Sequence, residues 1–182
     1  MSASNARAAY RHVLQQGIAS SRIVIAGDSA GGGLALALAL ALRDDGVAMP
    51  AAIVMFSPWT DLAATGPSIE ENTERCAMFA AITIRRASLI YLGESDPRHP
   101  YVSPLYGDFH GMPPMLVHAS ADEVLRDDSV RVAARARAAG VEVELRLWKG
   151  VPHVWQFFPA VVPEAAESLR DTVRFITKYA SR

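Results

Sequence analysis

Apolar and polar positions along this chain fall into two alternating kinds of block. Short apolar runs at residues 22–26, 51–56 and 115–119 read as strands, the wholly apolar 51–56 as one buried on both faces of a parallel sheet. Residues 141–148 read as a fourth. Between and around them lie blocks with helical character. Residues 6–16 form an amphipathic pattern closed by Gly17, residues 128–139 a helix ended by Gly140, and residues 163–179 a terminal helix. Residues 30–42 are apolar without interruption. Their Leu/Ala alternation has the period of a strand, but both residue types are strong helix formers, and Gly46 stands where a helix C-terminus would place it. Strand and helix alternate throughout, which predicts βαβ crossovers, an α/β fold with a mostly parallel sheet, and a ligand site at the carboxyl ends of the strands. Residues 60–104 break the pattern. They contain one helical stretch near 83–91 and a loop rich in Pro, Gly and Asp, and read as a cap-like insertion over the sheet within a single domain spanning residues 1–182.

Composition narrows the classes. The chain has 182 residues, is 51% hydrophobic and carries a net charge of −1, so it can bury a sizeable core. Its Lys and Arg are dispersed except for Arg131, Arg135 and Arg137, which read as a solvated helix face; no basic stripe argues for nucleic acid. The single Cys76 has no internal disulfide partner and no metal-ligand pattern around it, and a reduced, cytoplasmic setting fits. The apolar run 30–42 falls short of the roughly 18 residues that would cross a bilayer. Neither a metal nor a cofactor is expected.

Gly27-Asp28-Ser29-Ala30-Gly31-Gly32 sits between the first predicted strand and the apolar helix. A G-x-S-x-G pentapeptide arises by chance in about one chain of this length in twenty, so its setting decides its meaning. A strand before and a helix after make it a nucleophile elbow, with Ser29 on a strained turn, Oγ projecting into a site, and small neighbours that let strand and helix pass. A serine hydroxyl needs a base, and the base needs an orienting acid. Asp122 follows the third strand directly and His153 follows the fourth, so the order Ser, acid, His falls at three strand ends. Glu123 is the nearest rival acid, set behind Asp122 because strand-like alternation would turn it away. Asp127 and Asp128 stand where a helix begins and read as N-capping residues. His118 lies within a strand and reads as a hydrogen-bonded core residue; His12, His99 and His110 follow no suitable strand. The Ala30 N–H, at the helix N-terminus, is the identifiable oxyanion donor. Met78, Phe79 and Trp155 are candidates for a substrate pocket, with ordinary core packing the equal alternative.

The elbow, the segment Asp122-Glu123-Val124-Leu125-Arg126-Asp127, Ser57-Pro58-Trp59-Thr60-Asp61-Leu62 and the turn Val151-Pro152-His153 together resemble the GDSAG-type hormone-sensitive-lipase family of bacterial esterases. The resemblance implies an α/β-hydrolase fold and hydrolysis of small-molecule carboxylic esters, usually with short acyl chains, by an acyl-enzyme route without a cofactor. It also implies Ser29, Asp122 and His153 as nucleophile, acid and base. A peptidase or amidase on the same fold, or an inactive remnant used for binding, are the rival readings. The family's upstream His-Gly-Gly-Gly loop is missing, and only 22 residues precede Ile23. The expectation is therefore that the chain matches the carboxyl-terminal part of such an esterase. Its elbow strand would then present an open edge, which the rest of a longer gene product or a homodimer would cover, or which would show as poor solubility.

Overall fold

The apolar runs line up in sequence order, so that the two central strands are buried on both faces while the two edge strands stay partly exposed. The computed structural model describes residues 3–180. In it β1 (Val24–Asp28), β2 (Ala52–Phe56), β3 (Met115–Ser120) and β4 (Val143–Trp148) form one parallel sheet in the order β1-β2-β3-β4. The register places Ile25 beside Ile53, Ile53 beside Met115 and Met115 beside Val143, so apolar side chains form rows across the sheet. Six helices accompany it: α1 (Ala3–Gln15), α2 (Ala30–Asp44), α3 (Ser68–Glu71), α4 (Ala81–Leu92), α5 (Arg126–Ala138) and α6 (Pro163–Tyr179).

The two sheet faces bury different helices. Ile53, Met55, Met115 and Val117 pack with Leu36 and Leu40 of α2 and with Val132 and Ala136 of α5. Ala52, Val54 and Leu116, on the opposite face, meet Phe175 and Ile176 of α6. Helix α1 lies against the outer side of α2, where Tyr10 contacts Leu38 and Leu42. Helix α2 is thus enclosed on every side, and all residues from Ala35 to Leu42 are buried. This is why it is apolar all round rather than along one stripe. Each of its buried leucines contributes about 1.5–3 kcal/mol relative to an exposed one.

Element ends depart from the sequence reading for local reasons. Arg22 completes a 3₁₀ turn at Ser20–Arg22, so pairing begins at Val24 and runs on through Asp28. The fourth strand starts at Val143 rather than Val141, because the Val141 N–H turns back to Ala136 O and closes α5, with Gly140 at φ +78°. Helix α3 is four residues long and has no periodicity to betray it.

Asp127 and Asp128 make no N-cap on α5. Instead Asp127 Oδ2 accepts the Ser68 N–H at 2.8 Å, and Asp128 Oδ2 accepts the N–H groups of Thr60 at 2.7 Å and Asp61 at 2.8 Å. Both carboxylates tie the segment between β2 and β3 to the core. Of the arginines of α5, Arg135 and Arg137 lie on an exposed face as expected, while Arg131 is half-buried, and two of the three also bond the segment between β2 and β3. Arg131 pairs with the buried Asp61 at 2.8 Å, and Arg135 donates to Gly107 O. Among the described residues no helix is long and apolar enough to cross a membrane, and Cys76 is a half-buried free thiol.

Candidate active site

Ser29 stands between β1 and α2 with φ 51° and ψ −122°, a backbone conformation that a non-glycine residue adopts only when its surroundings impose it. Those surroundings are a tight set of backbone bonds. The Ser29 N–H donates to Phe56 O at 2.9 Å, and Ser29 O accepts the N–H groups of Gly32, Gly33 and Trp59. The glycines permit this closeness at three positions. A Cβ on Gly27 would come within 2.2 Å of Gly31 O, one on Gly32 within 2.8 Å of Pro58 Cβ, and one on Gly33 within 2.1 Å of Trp59 O. A Cβ on Gly31 would meet nothing. The spatial demand therefore falls on Gly27, Gly32 and Gly33, with Gly31 contributing its backbone. Ala30 opens α2 and is exposed, so its N–H belongs to the first helical turn, whose donors have no carbonyl within the helix.

His153 lies in the loop after β4 and is 3% exposed. Its Nδ1–H donates to Glu123 Oε2, and its Nε2 is buried without a hydrogen-bond partner among the described residues. Glu123 is itself 1% exposed and held by its second oxygen, Oε1, which accepts the Ser120 N–H at 2.8 Å. The ring of Phe79 meets His153 edge-on at 5.1 Å. A carboxylate oxygen bonded to Nδ1 selects the tautomer that leaves Nε2 as the acceptor.

Asp122 does not reach the imidazole. Its Oδ2 accepts the Gly150 N–H at 2.9 Å, pinning the loop that leads to His153. The expectation that Asp122 faces His153 rested on alternation, and alternation ends with β3 at Ser120. Residues 121–125 form turns, so Glu123 folds back over the strand end onto Ser120 while Asp122 leans toward β4. No local signal in the sequence separates the two acids; in the structure Glu123 is buried together with Val124 and Leu125.

Ser57-Pro58-Trp59 joins the serine and histidine loops. Ser57, with φ 47°, ends β2; its Oγ accepts the Val154 N–H at 3.3 Å, while Trp59 two residues on bonds Ser29 O at 2.8 Å. The strand-end residues Ser29, Glu123 and His153 thus sit at one end of the sheet, with the segment after β2 between them. Two clefts open there. One of about 390 Å³ is lined by Arg75, Cys76, Asp122, Glu123, Pro152 and His153. A smaller one of about 40 Å³ starts at Ala30 and is bounded by Leu34, Trp59, Tyr91, Tyr101 and Val102. The pocket candidates scatter. Phe79 abuts His153, Met78 is 48% exposed, and Trp155 is fully buried against Trp148. Val154, at φ 50°, turns the chain inward and delivers Trp155 to the core under α6. Among the described residues no group of three or more His, Cys, Asp or Glu side chains could hold a metal ion.

His118 is a core residue bonded through Nδ1 to Ser168 Oγ at 2.7 Å, and burial pushes its pKa down to about 4.

Comparison with known proteins places this geometry. Residues 1–157 match the family model of the alpha/beta hydrolase fold. An acetyl-hydrolase of Streptomyces hygroscopicus is 41% identical over 172 residues, which is 94% of this chain and 58% of that protein. An esterase of Acinetobacter venetianus is 38% identical over 92% of this chain and 56% of its own length. Among solved structures, an esterase from the bacterial hormone-sensitive lipase family superposes with a TM-score of 0.96 at 40% identity, covering 98% of this chain and 60% of that one. The chain thus spans somewhat over half the length of these relatives. It belongs to the α/β-hydrolase fold family and shares the architecture of its bacterial hormone-sensitive-lipase esterases.

Proposed function

We propose that this chain bears the catalytic apparatus of a serine carboxylesterase, with Ser29 as nucleophile, His153 as base and Glu123, rather than Asp122, as the orienting acid. The observation that carries the proposal is the buried Glu123–His153 bond with Nε2 left open, at the same sheet end as the strained Ser29 elbow. In the reaction, Ser29 Oγ attacks the ester carbonyl carbon while Nε2 takes its proton, and the Ala30 N–H stabilises the oxyanion. Collapse of the tetrahedral intermediate breaks the bond to the alkoxy oxygen, which leaves as the alcohol with the proton from His153. Water, deprotonated by the same nitrogen, then attacks the acyl-serine and releases the carboxylic acid and free Ser29.

Relatives named as an acetyl-hydrolase and as esterases support an ester substrate, and the small apolar cleft beside Ala30 favours a short acyl group. The segment between β2 and β3 covers this end of the sheet as part of a cap. A fluorophosphonate probe should label Ser29, and Ser29→Ala should abolish both labelling and turnover of p-nitrophenyl acetate. Labelling that persists at another serine would refute the assignment.

A further inference from the structure

The turn that carries Glu123 is held from outside the sheet. Asn72 is fully buried at the end of α3, and its Nδ2 donates to two carbonyls of that turn, Ala121 O at 3.1 Å and Glu123 O at 2.9 Å. Its Oδ1 accepts from Arg75 Nη2 at 2.6 Å, which fixes the amide with its donors toward the turn. The backbone of Asn72 extends the same arrangement. Asn72 O accepts the N–H groups of Arg75 and Cys76, which line the cleft at His153, and the segment continues to Phe79 against the imidazole. The α3–α4 segment therefore encloses the acid and base from one side, and Asn72 is its bond to the acid.

We infer that Asn72 is a positioning residue for Glu123, through which the segment between β2 and β3 sets the carboxylate on His153. The inference rests on the Ser29–His153–Glu123 reading. Within the turn the Ala121 N–H still bonds Trp148 O and Glu123 O also accepts the Arg126 N–H at 3.2 Å, but the two Asn72 bonds are the ones that tie these carbonyls to the end of α3, and their loss would weaken the hold on the residue that carries the carboxylate. The turn would then shift, and the carboxylate with it. A shift of about 1 Å in a catalytic group costs on the order of 10²-fold in rate, without a matching loss of substrate binding. Asn72→Asp tests this most sharply. It keeps the shape of the side chain but turns carboxylate oxygens toward two carbonyl oxygens.

Two readouts on the 182-residue chain separate the inference from the triad reading. A histidine Nδ1–H held by a buried carboxylate gives a far-downfield, exchange-protected proton resonance in one-dimensional NMR. The wild-type chain should show it and Glu123→Gln should lose it; its absence in the wild type, or its survival in Glu123→Gln, overturns the triad reading. In Asn72→Asp and Asn72→Ala the resonance should move or vanish, with kcat for p-nitrophenyl acetate down about ten- to a hundredfold and KM within about twofold. If Asn72→Ala does not fold, the isosteric Asn72→Asp gives the same reading. An unchanged resonance and unchanged kcat in folded Asn72→Asp would overturn the inference.

Discussion

Glu123 and Asp122 are carboxylic acids on consecutive residues joined by one peptide bond, yet their environments differ. Glu123 is buried, bonded to the Ser120 N–H on one oxygen and to His153 on the other, while Asp122 faces Gly150 at the rim of the cleft. An amide in place of the first cannot stabilise an imidazolium. It can also bond Nδ1 in the wrong sense, so Glu123→Gln should lower kcat for a short-chain ester by on the order of 10⁴-fold. Asp122→Asn keeps an acceptor for the Gly150 N–H and should stay within severalfold of wild type. The reverse ranking in p-nitrophenyl acetate assays would return the acid role to Asp122. The candidate serine and histidine could be picked out in the sequence because each is marked by its surroundings, a strand-to-helix junction with small residues and a strand-end turn. The choice between neighbouring acids was not legible, because it depends on where a strand stops pairing, and a one-residue difference reverses the side that a residue faces.

At the scale of elements, the elbow shows which parts of the motif are demanded by packing. Gly27 and Gly33 approach backbone carbonyls that cannot move without breaking the bonds that hold Ser29, whereas Gly31 faces open space. Gly27→Ala should therefore cost several kcal/mol of stability, as overpacking against backbone does at about 1–3 kcal/mol or more, and should lower labelling by a fluorophosphonate probe. Gly31→Ala should leave the melting temperature unchanged or raise it, since alanine exceeds glycine in a helix by about 1 kcal/mol. Thermal melts of the two variants side by side check this, and equal losses would contradict it. Strands β2 and β3 and helix α2 were visible in the sequence because burial on both faces and burial all round each leave a continuous apolar run. Helix α3 was not visible, nor was the role of Asp61, Asp127 and Asp128. They act across about sixty residues of sequence, joining α5 to the segment after β2, and no local pattern encodes such a partner.

For the whole molecule, two buried titratable groups make opposite demands on pH. Asp128 is enclosed in α5, and loss of hydration lifts its pKa from the usual 3.8 to about 7, against the pull of the Thr60 and Asp61 N–H groups. Between those values the folded chain holds a proton that the unfolded chain has released. This contribution to stability is complete below about pH 4 and is lost as pH rises through 7. His118 works the other way. Burial lowers its pKa from 6.5 to about 4, so the unfolded chain takes up a proton first, and its contribution is complete above pH 6.5 and is lost as pH falls through 4. Over most of the interval from pH 4 to 7 the two slopes oppose each other, each pKa unit being worth about 1.4 kcal/mol, and the wild-type stability curve is flattened. Asp128→Asn retains an acceptor for Thr60 and Asp61 and removes one slope. Its melting temperature should fall more steeply than that of the wild type on acidification from pH 7 to 4. His118→Gln should do the opposite, losing stability relative to wild type as pH rises across the same range. Melts at constant ionic strength in half-unit steps measure both. Parallel curves for wild type and Asp128→Asn would mean that Asp128 is already ionised in the folded chain at pH 5, with its two backbone donors outweighing the cost of burial.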